Sequence, residues 1–254
     1  MSALVLMYHG VERRPGPLFV EPALFAEHVA AVAESGLPVL TVGDLADRLA
    51  EGSLPPLAVS ITFDDGFASV VEEAVPVLLA RSLTATVFCV AGHLGGRNDW
   101  VTNPAGGPVV ALAPSGDLAR LAGDGIEIGG HGLEHEPLDT ADTATIEREV
   151  AGGRRVLEDA VGASVRSFAY PYGVLSEPAR SAVAASYAAA CTTQVGRVHP
   201  GADPWSLRRV DAHYLRSPER LARALGGGAD TYLAARRLAA NARRRVVRDY
   251  GRRG

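Results

Sequence analysis

The sequence predicts an α/β fold in which parallel strands close into a barrel with helices outside. Three observations carry this. Short apolar runs alternate with helix-like segments about seven times along the chain, as strand–helix–strand units around a parallel sheet do. The strand candidates are apolar almost throughout, as strands covered on both faces are. Polar residues suited to chemistry stand just past several of these runs, and the C-terminal rim of the strands is where such barrels carry their sites. One domain is ordinary for 254 residues.

The elements follow in order. Ala3–Tyr8 reads as the first strand. Pro22–Glu34 reads as a helix, with Pro22 in its first turn and Gly36 just past its end. Pro38–Thr41 is expected to be a strand and Val42–Ala50 a short helix. Leu57–Phe63 and Thr84–Val90 are strands on either side of a helix over Ser69–Arg81. Gly92–Pro114 breaks the rhythm with Gly, Pro and Asn, and is expected to be an inserted surface loop near the barrel mouth, a wall for substrate. Ile126–Gly129 is a strand, Thr143–Ala160 a helix, Val165–Tyr170 a strand and Glu177–Ser186 a helix. Ala188–Thr192 and Leu207–Ala212 are the last strands, and Pro218–Leu225 a helix. The barrel is expected to occupy residues 1–228, and an Arg-rich tail residues 229–254.

Hydrophobic residues make up 47% of the chain and aromatics 6%, so Ala, Val and Leu must fill the core. Residues 236–254 hold eight arginines and one aspartate, a net of +7, which leaves −11 on residues 1–235. A body that acidic is a poor partner for nucleic acid. Cys89 and Cys191 both lie in apolar, strand-like runs and are expected to be buried thiols. Neither a signal peptide nor an apolar run long enough to span a membrane is seen, so the expected location is the cytoplasm.

Two clusters suggest metal-assisted hydrolysis. The first is Asp64-Asp65-Gly66 after the strand ending at Phe63. Alternation along a strand sends adjacent side chains in different directions, so one Asp can ligate a metal while the other faces substrate. The second is His131-Gly132-Leu133-Glu134-His135, where the glycines at 129, 130 and 132 favour a loop over a helix. Two imidazoles and a carboxylate with an open position suit zinc. The same stretch fits the His-x-x-Glu-His pattern of inverted zinc peptidases, but that pattern needs a helix and gives the paired aspartates no role. A third stretch, Phe168-Ala169-Tyr170-Pro171-Tyr172-Gly173, ends a strand in a rigid turn that can aim a backbone N–H at a developing oxyanion.

Together, Thr62-Phe63-Asp64-Asp65-Gly66, His131–His135 and Phe168–Gly173 resemble, in order and spacing, the first three motifs of the polysaccharide deacetylases, carbohydrate esterase family 4 with the NodB-homology domain. The opening Leu6-Met7-Tyr8-His9-Gly10-Val11 is similar to the start of the poly-N-acetylglucosamine deacetylase subgroup. The resemblance spans roughly residues 3–215. It implies a distorted (β/α)7 barrel and metal-dependent removal of N- or O-acetyl groups from an amino sugar of a glycan or glycolipid. Carried over by position, Asp64 would be the general base, Asp65, His131 and His135 the metal ligands, and the Tyr172 N–H part of the oxyanion hole. The metal would be zinc, with cobalt or nickel as alternatives.

The chain departs from the family in three places. Gly132 stands where many members have Ser or Thr, which removes one hydrogen bond that braces the loop. Ala169 stands where many have an arginine that orients the base, and Arg208 or Arg209 on the last strand is expected to replace it, with Arg209 preferred. The late Leu-x-His motif that donates the acid has no clean match. His9 is the preferred acid and His213 the alternative. Two other readings stand beside this one: a small-molecule amidase that opens a cyclic ureide or imide, and a non-catalytic sugar-binding relative, against which the intact Asp64, Asp65, His131 and His135 argue. The basic tail is expected to be solvated, or to make weak contact with an anionic membrane surface.

Overall fold

In the computed structural model, which describes residues 1–103 and 108–239, the strands are β1 (Ala3–Tyr8), β2 (Gly10–Val11), β3 (Phe19–Val20), β4 (Ala58–Phe63), β5 (Thr86–Cys89), β6 (Glu127–Gly130), β7 (Ser167–Ala169), β8 (Ala189–Val195) and β9 (Leu207–Asp211). Seven of them form a closed parallel barrel in the order β1-β4-β5-β6-β7-β8-β9. Pairing of Leu6 with Val210 and Met7 with Asp211 closes it. β2 and β3 form a separate two-stranded parallel pair beyond the end of β1.

Successive residues of the barrel strands divide between two clusters, and most of the small ones fall in the inner cluster. Leu4, Leu6, Val59, Ile61, Phe63, Val87 and Phe168 belong to the larger cluster between strands and helices. Ala3, Val5, Ala58, Phe88, Ala169, Ala189, Cys191 and Leu207 form the second, inner cluster. An interior built mostly of Ala, Ser, Thr and Cys is how a chain with few aromatics fills a narrow barrel. Cys89 and Cys191 are buried free thiols.

Most expected elements form within a residue or two of their bounds, and three differ. Pro38–Thr41 is not a barrel strand: a single bridge joins Val39 to Val59. On that edge β4 reaches β5 only at Thr62 and Phe63, so the Pro38 carbonyl and the Leu40 N–H take the lower bonds, both to Val59. A helix over Ser115–Gly123 forms between the inserted loop and the next strand, where no element was expected. The inserted loop is not simply a surface feature either. Asn98 is buried, accepting the Val110 N–H at 2.6 Å and donating to the Pro108 carbonyl at 3.0 Å, and Trp100 is buried too.

Residues 230–239 are helical, with Ala229 and Leu233 packed into the main core. The remainder of the Arg-rich tail, 240–254, lies outside the described residues. No helix among the described residues is long and apolar enough to cross a membrane.

Gly129 on β6 shows how little interior space is spare. A Cβ there would come within 2.5 Å of the Phe88 ring and 2.8 Å of Ser167 Oγ. Gly129→Ala should therefore destabilise the barrel by about 1–3 kcal/mol through overpacking, read as a lower urea midpoint with an unchanged m-value.

Candidate active site

Strand ends bring the sequence motifs together. Asp64 and Asp65 follow β4, His131 follows β6, the Tyr170–Gly173 turn follows β7, and His9 follows β1. Arg209 lies on β9 itself. His9, Asp64, Asp65, His131, His135 and Tyr172 all line one cleft of about 870 Å³ at the C-terminal rim.

Asp64 and Arg209 form a buried, two-pronged ion pair. The Arg209 guanidinium donates to Asp64 Oδ1 at 2.6 Å and Oδ2 at 2.7 Å. It also donates to the Thr192 carbonyl at 3.0 Å and lies over the Phe88 ring at 5.7 Å. Arg209 is 1% exposed and Asp64 2%. Burial alone would raise the Asp64 pKa, but the charges of Arg209 and His131 and the Arg209 hydrogen bonds outweigh it. The carboxyl is held well below the ordinary carboxylate range. Arg208, the alternative, is exposed on the other side of the strand.

Asp65, His131 and His135 present one ligand atom each, all within 4.8 Å of one another. Asp65 Oδ1 lies 3.5 Å from Nε2 of both histidines. That is long for a hydrogen bond. It is close to the roughly 3.3 Å expected between two ligands that sit about 2.0–2.1 Å from a tetrahedral zinc. His131 Nδ1 lies 2.7 Å from the Ala169 carbonyl. Donation there orients the ring with Nε2 toward Asp65. Burial, and then the neighbouring His131, push the His135 pKa down to about 3, which keeps that ring neutral and able to ligate. Burial pushes the nearby Cys89 thiol up to about 12, so it stays protonated. The donor set therefore fits a divalent cation: two imidazoles and a carboxylate on one side of an open cleft.

His135 is oriented differently from His131. Its Nδ1 is buried without a hydrogen-bond partner among the described residues. Aromatic contacts hold the ring instead, with Trp100 at 4.4 Å and Tyr172 at 4.6 Å between centroids. Thr102 ties the inserted loop to both motifs: its hydroxyl donates to the His135 carbonyl at 3.1 Å, and its own carbonyl accepts the Tyr172 hydroxyl at 2.7 Å. Asp65, His135 and Tyr172 have φ of 70°, 60° and 59°. Left-handed backbone at three non-glycine residues of one site is uncommon and marks local strain.

The remaining candidates separate cleanly. His9 lines the cleft and His213 does not. The His213 main chain instead donates to Asp211 at 2.9 Å. Glu134 points outward to His93 at 3.0 Å, and no helix forms over 131–135, which removes the peptidase alternative. Trp100 was visible in the sequence only as part of a substrate wall, and Thr102 carried no signal there.

The sequence profile of the polysaccharide deacetylase family matches residues 51–189, so the chain belongs to that family and is a hydrolase of the carbohydrate deacetylase class. Among similar proteins, YxkH of Bacillus subtilis (strain 168), named for the same family, is 24% identical over 208 residues, covering 81% of this chain and 70% of that protein. A chitooligosaccharide deacetylase of Sinorhizobium fredii is 28% identical over 159 residues, covering 61% of this chain and 63% of that protein. The structure of the Streptococcus pyogenes deacetylase PplD in complex with acetate superposes with a TM-score of 0.76 at 21% identity, covering 89% of this chain and 98% of that one.

Replacing Arg209 by Met should leave Asp64 buried without its partner, at a cost of about 3–5 kcal/mol near neutral pH. Because the folded Asp64 pKa is depressed, the pair's contribution is present above the ordinary aspartate pKa of about 3.9 and is lost as pH falls below it. The deficit of Arg209→Met should therefore shrink on acidification, as followed by denaturant melts at neutral and acid pH.

Proposed function

We propose that this chain is a divalent-metal-dependent deacetylase that hydrolyses the acetyl amide of an amino sugar in a glycan or glycoconjugate. One observation carries the reading. A carboxylate fixed and kept ionised by a buried arginine, Asp64, stands beside a second carboxylate and two histidines that fit a cation. Asp65, His131 and His135 would hold the cation, zinc by their donor set, and when bound it would supply Lewis acidity at the acetyl carbonyl and lower the pKa of water.

The chain's own groups do the rest. Asp64 accepts the proton of the attacking water, and Arg209 holds both its oxygens so that it cannot turn away. The Tyr172 N–H donates to the developing oxyanion. The left-handed φ of Tyr172 and of Gly173, at 59° and 66°, supports this by turning the chain sharply there. His9, part-exposed on the cleft wall, protonates the departing amine. Trp100 and Tyr172 pack the His135 ring and limit water on that side. The direct assay is acetate release by zinc-loaded protein from a panel of N- and O-acetylated sugars and glycolipids. No release from any acetylated amino sugar would rule this reading out.

The ligand assignment predicts one equivalent of zinc in the parent protein and well below one in His131→Ala, by elemental analysis. Asp64→Asn should keep the metal and lose turnover, and Asp65→Asn should lose both. Full zinc retention in both His131→Ala and His135→Ala would exclude this site.

The acid assignment predicts a dependence on leaving group. His9→Ala should cost roughly 10²–10⁴-fold on an acetyl amide and much less on an activated acetyl ester, whose leaving group needs no proton. His213→Ala should be indifferent to leaving group. The reverse pattern would move the acid to His213.

A further inference from the structure

The loop that carries both histidine ligands rests on one buried carboxylate. Glu149 Oε2 accepts the N–H groups of Leu133 and Glu134 at 3.0 Å each and of Glu136 at 3.4 Å. These donors flank His135 on both sides in sequence and start two residues after His131. Glu149 is fully buried, and its other oxygen has no hydrogen-bond partner among the described residues. Its hydrogen bonding therefore goes into this loop.

The surrounding backbone is arranged around that contact. Glu149 lies in a π turn, Arg148–Gly152, inserted between the α-helical stretches Thr143–Glu147 and Gly153–Val161. Such widened turns are uncommon and concentrate at functional sites. Just after it, Gly153 lets the helix backbone meet the loop: a Cβ there would lie 3.1 Å from Gly132 C and 3.1 Å from Leu133 N. Gly132 has φ of +85°, and a Cβ on it would lie 2.7 Å from Glu149 Oε2. The missing hydroxyl at position 132 and the unpartnered Nδ1 of His135 mean that no side-chain bond to the ring braces this ligand.

We propose that Glu149 is the positioning residue of the metal loop, fixing His131 and His135 for cation binding by gathering three loop N–H groups onto one oxygen. This rests on the assignment of Asp65, His131 and His135 as ligands. It assigns a function to the helix that packs behind the site. A purely structural Glu149 would support the helix and the fold but leave ligand geometry unchanged.

Two measurements on the parent, Glu149→Gln and Glu149→Ala proteins test this. The first is zinc affinity by chelator competition. Glu149→Ala should bind zinc about 10–100-fold more weakly, as expected for loss of a group that orients ligands, and Glu149→Gln, which keeps an acceptor oxygen, should recover most of that loss. The second is amide hydrogen exchange in the metal-free proteins. Leu133, Glu134 and Glu136 should exchange at least about tenfold faster in Glu149→Ala, and faster than parent in Glu149→Gln, with the amides of β1 and β4 unchanged. Should the alanine variant fail to fold, the glutamine variant decides by its loop exchange. Zinc affinity within threefold of parent in a folded Glu149→Ala, or unaltered loop exchange in Glu149→Gln, overturns the proposal. Absence of zinc binding by the parent would instead overturn the ligand assignment, and the exchange data would still judge Glu149.

Discussion

A guanidinium buried inside a closed barrel is the constraint on which the site depends. Arg209 projects from β9 into a buried interior shared with Val5, Phe88, Ala169, Cys191 and Leu207, and a charge there is untenable without a counter-charge. Asp64 meets that demand, which fixes its position to within the reach of two hydrogen bonds. The pair also joins β9 to the end of β4 across β1, the strand that lies between them. Buried ion pairs are weak evidence for stability, because desolvation offsets much of the attraction. Here the gain is positional. Once Asp64 is held inward, the chain must reverse at Asp65 and Gly66, both left-handed, and Asp65 comes out facing the histidines.

The same logic extends along the rim. Three of the functional segments carry a left-handed non-glycine residue: Asp65 after β4, His135 beyond β6 and Tyr172 after β7. Non-glycine residues hold that conformation only where the surroundings over-determine it. The surroundings are identifiable. Arg209 fixes the first segment, Glu149 the second, and Thr102 links the second to the third through the His135 carbonyl and the Tyr172 hydroxyl. Trp100 then covers His135 from the inserted loop. The rim is thus a ring of short segments, each tied to a rigid element behind it.

Much of this was legible in the sequence. Apolar runs at Ala3–Tyr8 and Leu57–Phe63, and the amphipathic stretch Val42–Ala50, are local signals, and they form as read. The cluster that could hold a cation was legible because Asp64-Asp65-Gly66 and His131 sit directly after strands and His135 only four residues further on, so few residues separate pattern from placement. Glu149 and Thr102 were not legible. Glu149 works through backbone N–H groups 13–16 residues away, and Thr102 through the His135 carbonyl 33 residues away and, by its own carbonyl, the Tyr172 hydroxyl 70 away; a backbone N–H or C=O leaves no mark in a sequence. Pro38–Thr41 was misread for a related reason. Its composition suits a strand, but which edge of β4 stays open is decided by how β5 pairs.

Ala169 and Arg209 are best understood as one coupled choice. Many relatives of this family carry an arginine at the position of Ala169, directed at the base. Here residue 169 faces the interior from β7, beside Cys191 on β8, and Arg209 enters the same interior from β9 and reaches across to Thr192 and Asp64. The space is closed and close-packed, with Phe88 already against the guanidinium. Two guanidinium groups would also place like charges beside a single carboxylate in a medium that screens them poorly. A small residue at 169 is therefore the condition for an arginine at 209. Ala169 keeps a second role through its carbonyl, which fixes His131 regardless of side chain. The arginine can move between strands because a buried carboxylate at Asp64 needs a positive charge beside it, and the barrel interior can receive that charge from more than one side.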